Sequence, residues 1–547
     1  MSKSGGLGVA VQNTKQRRQT YGRAVSVTLV LLLAFAIRLP HALWNLPYLT
    51  YWDEFQIAGG SLQMIQLGSP MLPFFNYGAL PIEFAAIIAL PALAFSRRWG
   101  DLAGGMSLRP IPEYYWSVGS SEILITQRLA WLLVGLAFIG LVMLIGTRIG
   151  GAKTAVTAGL LIAASPLAIQ TSSTVMVDGF GTTFATLSVL LAIEANRRLR
   201  IHWWLVGSAI AAGLAAATKI PYGSAVLASL TVAVIATTGA PNRWKELVKN
   251  VSPIAVAFPM TFAVVSPNVL KWPRDFVETL LYESRHYGEG VEGSSAEPWV
   301  DQFLVQLRSG WIPNFGLIAL VLAALGLVIG LRDKRIRTSI LVLVMPTLPV
   351  LVVFMSGRLT YHRPLIFTYP AIAVLAGLAS AAIARWIYLQ LNDHEVLLPR
   401  TRRLISLLAW IVITVVTVGP NLVEQFNKSR YWWHQTETRT IAFNTAAEAA
   451  CQGNQAGRIV WQRSLVPNGP HLRSPCPRVS VVLSPLDDPT KDLASGDILI
   501  QTASNVLEIP GSQRLASIPG TELRPVNEFG VPIGPTENPA IDVVLIK

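Results

Sequence analysis

Long apolar runs recur along most of this chain, and they limit what it can fold into more than any other feature. Twelve of them lie near 24–44, 79–95, 128–148, 154–170, 176–195, 203–219, 221–238, 251–267, 313–331, 338–355, 365–386 and 404–419. A helix needs about 20 apolar residues to cross the roughly 30 Å hydrocarbon layer of a bilayer. Of the 547 residues, 52% are hydrophobic and 14% charged, whereas a water-soluble chain carries about 25% charged residues. A polytopic membrane protein is expected, and a soluble enzyme is excluded.

Charge distribution sets the expected topology. The net charge is +13, yet from Pro420 onward 11 Lys+Arg face 12 Asp+Glu. The excess therefore belongs to the membrane part, where it marks cytoplasmic loops and anionic lipid rather than nucleic acid. The first 23 residues hold five basic and no acidic side chains. The span that follows is too long for a signal-peptide core, so residues 1–23 read as a cytoplasmic tail. Basic clusters at 147–153, 196–200, 242–250, 332–337 and 400–403 fall into regular alternation with it.

One run breaks the alternation. "ALPIEFAAIIALPALAF", 79–95, contains Pro81, Glu83 and Pro91. If it crossed, no apolar segment in 99–127 could return the chain. It is expected to be re-entrant or in-plane within a large outer loop. That leaves eleven spans over 24–419, N-terminus in and C-terminus out, with outer loops 45–127, 268–312 and 356–364. Residues 420–547 lose the apolar runs, and "RIVWQ", "RVSVVLS", "DILIQT" and "IDVVLI" read as strands after a helix at 436–450. This predicts a small extracytoplasmic α/β domain. Cys451 and Cys476 flank its first strand on an oxidising side and are expected to form a disulfide, two separate buried thiols being the alternative.

Polar residues gather on the predicted outer face. Asp53 and Glu54 open "EFQIAGGSLQMIQLG", whose apolar stripe suggests an amphipathic interfacial helix; the bland reading is a helix-capping pair. Asp178 opens an apolar span, where an acid is either a helix cap or functional. Lys219 in "TKIPYG" either snorkels to the interface or holds a phosphate. Arg285, His286 and Tyr287 stand in a loop with several glycines, either solvated or part of a substrate lid. Arg128, Arg358, His362 and Arg363 are arginines and a histidine on the side that usually lacks basic charge, and forked guanidinium groups suit phosphate.

The order of these segments resembles the GT-C glycosyltransferase superfamily, in the branch of protein O-mannosyltransferases and the lipid A aminoarabinose transferase. The carriers are "YWDEFQIAGGSLQMIQLGSP", "SEILITQRLAWLLVGLAFIGLVMLIGTRIGG", "SPLAIQTSSTVMVDGFGTTF", "GLAAATKIPYG" and "ESRHYGEGVEG". Where the branch often has "KPP" or "HPP", this chain reads "FFNYGALPIEF". The resemblance implies a multi-pass protein of the inner or plasma membrane that moves a monosaccharide from a polyprenyl-phosphate donor to a hydroxyl or phosphate of a glycan, lipid or protein acceptor. Transfer would be inverting and on the extracytoplasmic face.

It implies Asp53 as general base with Glu54 assisting, and Asp178 on the acceptor side or orienting a partner. Arg128, Lys219, Arg285 and Arg358 would neutralise the donor phosphate, with His286 and Tyr287 on the donor loop. No cofactor is implied, and a divalent metal is left open. The competing readings are a lipid-linked sugar flippase and a non-catalytic envelope-assembly subunit.

Overall fold

A computed structural model of the chain describes residues 5–546 except 45, 47–51, 100–109, 112–114, 117–120, 198–200, 239, 291–294, 393–397, 435–437, 453–457, 463–475, 477–478, 484–492, 503–511 and 520–539. The helices in chain order are α1 (Gly5–Leu43), α2 (Trp52–Leu67), α3 (Ala79–Trp99), α4 (Ser121–Gly150), α5 (Ala152–Ala164), α6 (Pro166–Ser173), α7 (Val177–Ala195), α8 (Ile201–Ala216), α9 (Val226–Thr237) and α10 (Arg243–Val265). They continue with α11 (Pro267–Lys271), α12 (Pro273–Glu289), α13 (Val300–Val305), α14 (Ile312–Arg332), α15 (Arg337–Val344), α16 (Thr347–Ser356), α17 (Tyr369–Asn392), α18 (Pro399–His434) and α19 (Thr438–Gln452). Ten helical stretches among the described residues have the length and composition to cross a membrane, or eleven if α5 and α6 form one bent span.

Segment 79–95 is one unbroken helix, α3, and not a re-entrant bend. It has the composition of a span, but its contacts keep it at one end of the bundle. Gln127 Nε2 donates to Ala85 O, and Ser96 Oγ donates to Glu122 Oε2. From residue 85 to 96 α3 advances about 16 Å, while its partner on α4 retreats from 127 to 122 toward that helix's first turn. Thus α3 lies obliquely across the start of α4, with Ile87, Leu90 and Trp99 exposed as an apolar face. Setting α3 aside and admitting the 16-residue α8 again gives eleven crossings.

The second difference is a break. The run 154–170, expected as one span, is α5 and α6 joined at Ser165 and bent by 68°. Pro166 has no N–H to continue the α5 ladder, which leaves carbonyls that must find other donors inside the bundle. The buried Arg38 of α1 supplies them: Nη1 reaches Ala163 O (3.0 Å), Nη2 reaches Ile162 O (3.1 Å), and Nε holds Ser172 Oγ (2.9 Å). From α14, Asn314 Oδ1 accepts from Ser165 Oγ and from Leu167 N.

Two boundaries move. Helix α1 starts at Gly5 rather than 24, and α18 runs through Pro420 to His434 instead of ending at 419. Helix α2 is not an interfacial amphipathic helix. Both its acids and Phe55, Ile57, Ala58 and Leu62 are buried, packed with Ile82, Ala85, Trp131 and Phe180. Its stripe was legible, but α3 and α4 cover the other side.

A short hairpin, β1 (Pro110–Ile111) with β2 (Tyr115–Trp116), precedes α4. The C-terminal sheet contains β3 (Arg458–Trp461), β4 (Ser480–Leu483), β5 (Ile498–Thr502), β6 (Gln513–Ile518) and β7 (Ile541–Leu545) in the order β4-β3-β5-β7-β6. The first three strands are parallel, and β7 runs antiparallel to both β5 and β6. Ala442, Ala446 and Ala450 of α19 pack on its apolar face with Trp461 and Ile500. Cys451 and Cys476 are joined, closing a loop with a separation of 25 residues. Changing both to serine is expected to cost about 3 kcal/mol by chain entropy, read as a lower melting temperature of this domain; an unshifted transition would show that the bridge adds nothing.

Candidate active site

The first-loop acids have opposite surroundings. Glu54 and Arg128 are both fully buried, at 0% side-chain exposure. Arg128 grips the carboxylate through two bonds, Nε–Oε1 2.7 Å and Nη2–Oε2 2.8 Å, and donates Nη1 to Trp44 O at 2.7 Å. Val175 N also donates to Glu54 Oε1. Neither side chain lines the cavity described below. Glu54 as a catalytic assistant and Arg128 as a phosphate ligand are therefore corrected: their polar atoms are committed to joining α2, α4 and the α6–α7 turn.

Asp53, one residue earlier and 6% exposed, points into a cavity of about 650 Å3. Arg363, at the start of the 3-10 turn Arg363–Thr368, donates Nη1 to Asp53 Oδ2. Lys219 lines the same cavity. Its Nζ donates to Asp178 Oδ1 (2.8 Å), which also accepts from Tyr222 OH (2.8 Å). Asp178 is buried behind Lys219 and acts on it; it does not itself line the cavity.

One wall is the segment 75–78. Gly78 N donates to Thr218 O and Leu80 N to Ala217 O, so the "FFNYGALP" segment is laced to the turn that carries Lys219. A Cβ on Gly78 would lie 1.8 Å from Ala217 O, so only glycine fits. Gly78→Ala is expected to force the two segments apart, costing about 1–3 kcal/mol as overpacking does. A thermal melt checks this, and wild-type stability would mean that the lacing is slack.

Another wall is α12. Tyr287 O accepts from Arg358 N (2.8 Å) and Leu359 N (3.2 Å), and Ala296 N donates to Arg358 O (2.8 Å), which knits the third loop to 356–360. His286 and Tyr287 line the cavity, as do Tyr282, Glu283 and Tyr361. Burial holds the Glu283 carboxyl above its ordinary range. Two further expectations are corrected here. Arg285 is exposed and, among the described residues, bonds Leu281 O, and Arg358 is half exposed and paired with Glu297; neither lines the cavity. The last part of the expected glycine loop, 291–293, lies outside the described residues.

The cavity thus holds two carboxylates, Asp53 and Glu283, and two cations, Lys219 and Arg363; three arginines and a lysine were expected, and Arg363 replaces the other arginines. Its signal was present in "SGRLTYHRP": an arginine directly before the proline that opens a span, on the face with the acids. Among the described residues no three His, Cys, Asp or Glu side chains cluster as metal ligands would.

Residues 119–271 match a family model described as dolichyl-phosphate-mannose-protein mannosyltransferase. No curated protein sequence matches. Among solved structures the chain is similar to ArnT from Cupriavidus metallidurans bound to undecaprenyl phosphate, with 14% identity, a TM-score of 0.54, and 95% of this chain and 97% of that one covered. The apo state of the same protein gives 15% identity and a TM-score of 0.53 over 96% and 98%. The apo oligosaccharyltransferase of Archaeoglobus fulgidus gives 11% identity and a TM-score of 0.51, covering 84% of this chain and 64% of that one. The matched segment holds Arg128, Asp178 and Lys219, and the fold extends the likeness over nearly the whole chain. The chain has helices of the length and composition of a multi-pass membrane protein, a segment that matches a mannosyltransferase family model, and a fold similar to that of ArnT.

Proposed function

We propose that this protein is a glycosyltransferase that moves one sugar from a polyprenyl-phosphate donor to an acceptor hydroxyl, with inversion, on the extracytoplasmic face. The observation that carries this reading is the meeting of Asp53, Lys219 and Arg363 in one cavity. The acceptor oxygen bonds to the anomeric carbon as the bond from that carbon to the phosphate oxygen breaks. The electron pair leaves with the phosphate, and the hydroxyl proton passes to the Asp53 carboxylate. Lys219, held by Asp178, and Arg363 offset the charge that gathers on the departing phosphate. Arg363 also holds the Asp53 carboxylate in place through its hydrogen bond. His286 and Tyr287 border the donor from α12.

The ArnT neighbour was solved with undecaprenyl phosphate, which supports this class of carrier. The fold's apolar spans supply the lipid setting that such a carrier needs. The acceptor is a glycan, lipid or protein hydroxyl. Purified protein in lipid nanodiscs should release polyprenyl phosphate from a radiolabelled polyprenyl-phosphate sugar and pass the label to an acceptor. If no donor in a panel of hexosyl and pentosyl esters is consumed, the proposal fails.

A further inference from the structure

A second carboxylate lines the cavity and has no part in the transfer step above. Glu283 of α12 accepts from Asn76 Nδ2 at 3.0 Å through Oε1. Glu283 Oε2 and Asn76 Oδ1 have no hydrogen-bond partner among the described residues, although both residues line the cavity. The described residues give Glu283 no ion-pair partner, yet it feels the charges of Lys219 and Asp53. An acid so placed beside a phosphate site raises the cost of binding the anion unless something else uses it.

The charged lining groups are paired differently: Lys219 and Arg363 bond Asp178 and Asp53, whereas Glu283 is bonded to Asn76. Tyr282 and Tyr287 stand on the same helix as Glu283 and also line the cavity. A phosphate belongs with the cations. Beside Glu283 a neutral group rich in O–H donors fits best. A pyranose or furanose ring has both required surfaces: a C–H face for an aromatic ring, and adjacent hydroxyls for a carboxylate with a free oxygen.

We propose that Glu283 and Asn76 form the subsite that reads the hydroxyl groups of the donor sugar and so selects which sugar is transferred. This rests on the transfer reading above. Two adjacent sugar hydroxyls donate to Glu283 Oε2 and Asn76 Oδ1, while Asn76 Nδ2 keeps the carboxylate in place. A purely structural role, pinning segment 75–78 to α12, would act on every ligand alike.

The test compares bare undecaprenyl phosphate with its mannosyl, glucosyl and arabinosyl esters, by equilibrium binding in nanodiscs to wild type, Glu283→Ala and Glu283→Gln. Wild type should bind at least one ester about tenfold or more tightly than the bare lipid, as hydrogen bonds to a charged group allow. Glu283→Ala should lose that advantage while its affinity for the bare lipid stays within about twofold. Glu283→Gln, which keeps the shape and one acceptor, should retain part of it and should change the order of preference among the esters.

The proposal is overturned if both variants keep the advantage of the ester, or if they lose affinity for bare and sugar-bearing lipid equally. It also falls if wild type never prefers an ester, which leaves the transfer reading standing. Failure of wild type to bind bare undecaprenyl phosphate would strike the transfer reading itself.

Discussion

Replacing Asp53 by asparagine is expected to slow sugar transfer by about 10²–10⁴-fold, the usual contribution of a positioned general base. The amide keeps the shape of the carboxylate and still offers Arg363 an oxygen, but it cannot take up the acceptor proton. Polyprenyl phosphate should still bind, because Lys219 and Arg363 both remain. The measurement is single-turnover consumption of radiolabelled donor alongside binding of the bare lipid. Undiminished transfer would remove Asp53 from the chemistry. Loss of binding and transfer in equal measure would reassign it to holding Arg363 in place.

Removing either member of the Glu54–Arg128 pair should have the largest effect on folding. Both side chains are at 0% exposure, so truncating one leaves a buried charge without its partner, which typically costs about 3–5 kcal/mol. Arg128→Ala would also strip the donors from Trp44 O and Ala42 O. Glu54→Ala should do comparable damage. Replacing both with apolar residues of similar volume should recover much of the loss, because no lone charge remains. A double-mutant cycle on thermal or denaturant unfolding measures this. Additive single and double losses would show that the pair is not coupled. Low activity in either variant should follow the amount of folded protein.

The sequence carried the membrane architecture because its signals, apolar run length and basic loops, are local and repeated. Four of the five C-terminal strands were legible as apolar runs. The fifth, β6, reads "QRLASI" and is polar enough on its exposed side to pass for a loop. Lys219 was legible because it ends an apolar run, and Asp53, His286 and Tyr287 because they stand in predicted outer loops on the same face.

Pairing was harder to read. Nothing within "WDEF" indicates that Glu54 is locked away while its neighbour is open, because that depends on Arg128, 74 positions further on. Choosing Arg363 over Arg358 and Arg285 likewise depends on the turn at Arg363–Thr368 and on the face of α12, both set by tertiary contact. The break at Ser165–Pro166 had a local signal in its proline. Its stabilisation by Arg38 and Asn314 did not.

That break acts as a lever. Helix α6 is eight residues long, an arm of about 12 Å at 1.5 Å per residue. Each degree of flexing at Ser165 therefore sweeps its far end by about 0.2 Å. Just past that end, Val175 N holds Glu54, and Met176 O receives the indole N–H of Trp131. A displacement of about 1 Å at reacting groups can cost a hundredfold in rate, so about five degrees of play in the joint would reach Asp53 through its neighbour. Arg38 and Asn314, buried in the bundle and outside the cavity lining, thereby set the tolerance to which the acid is aimed.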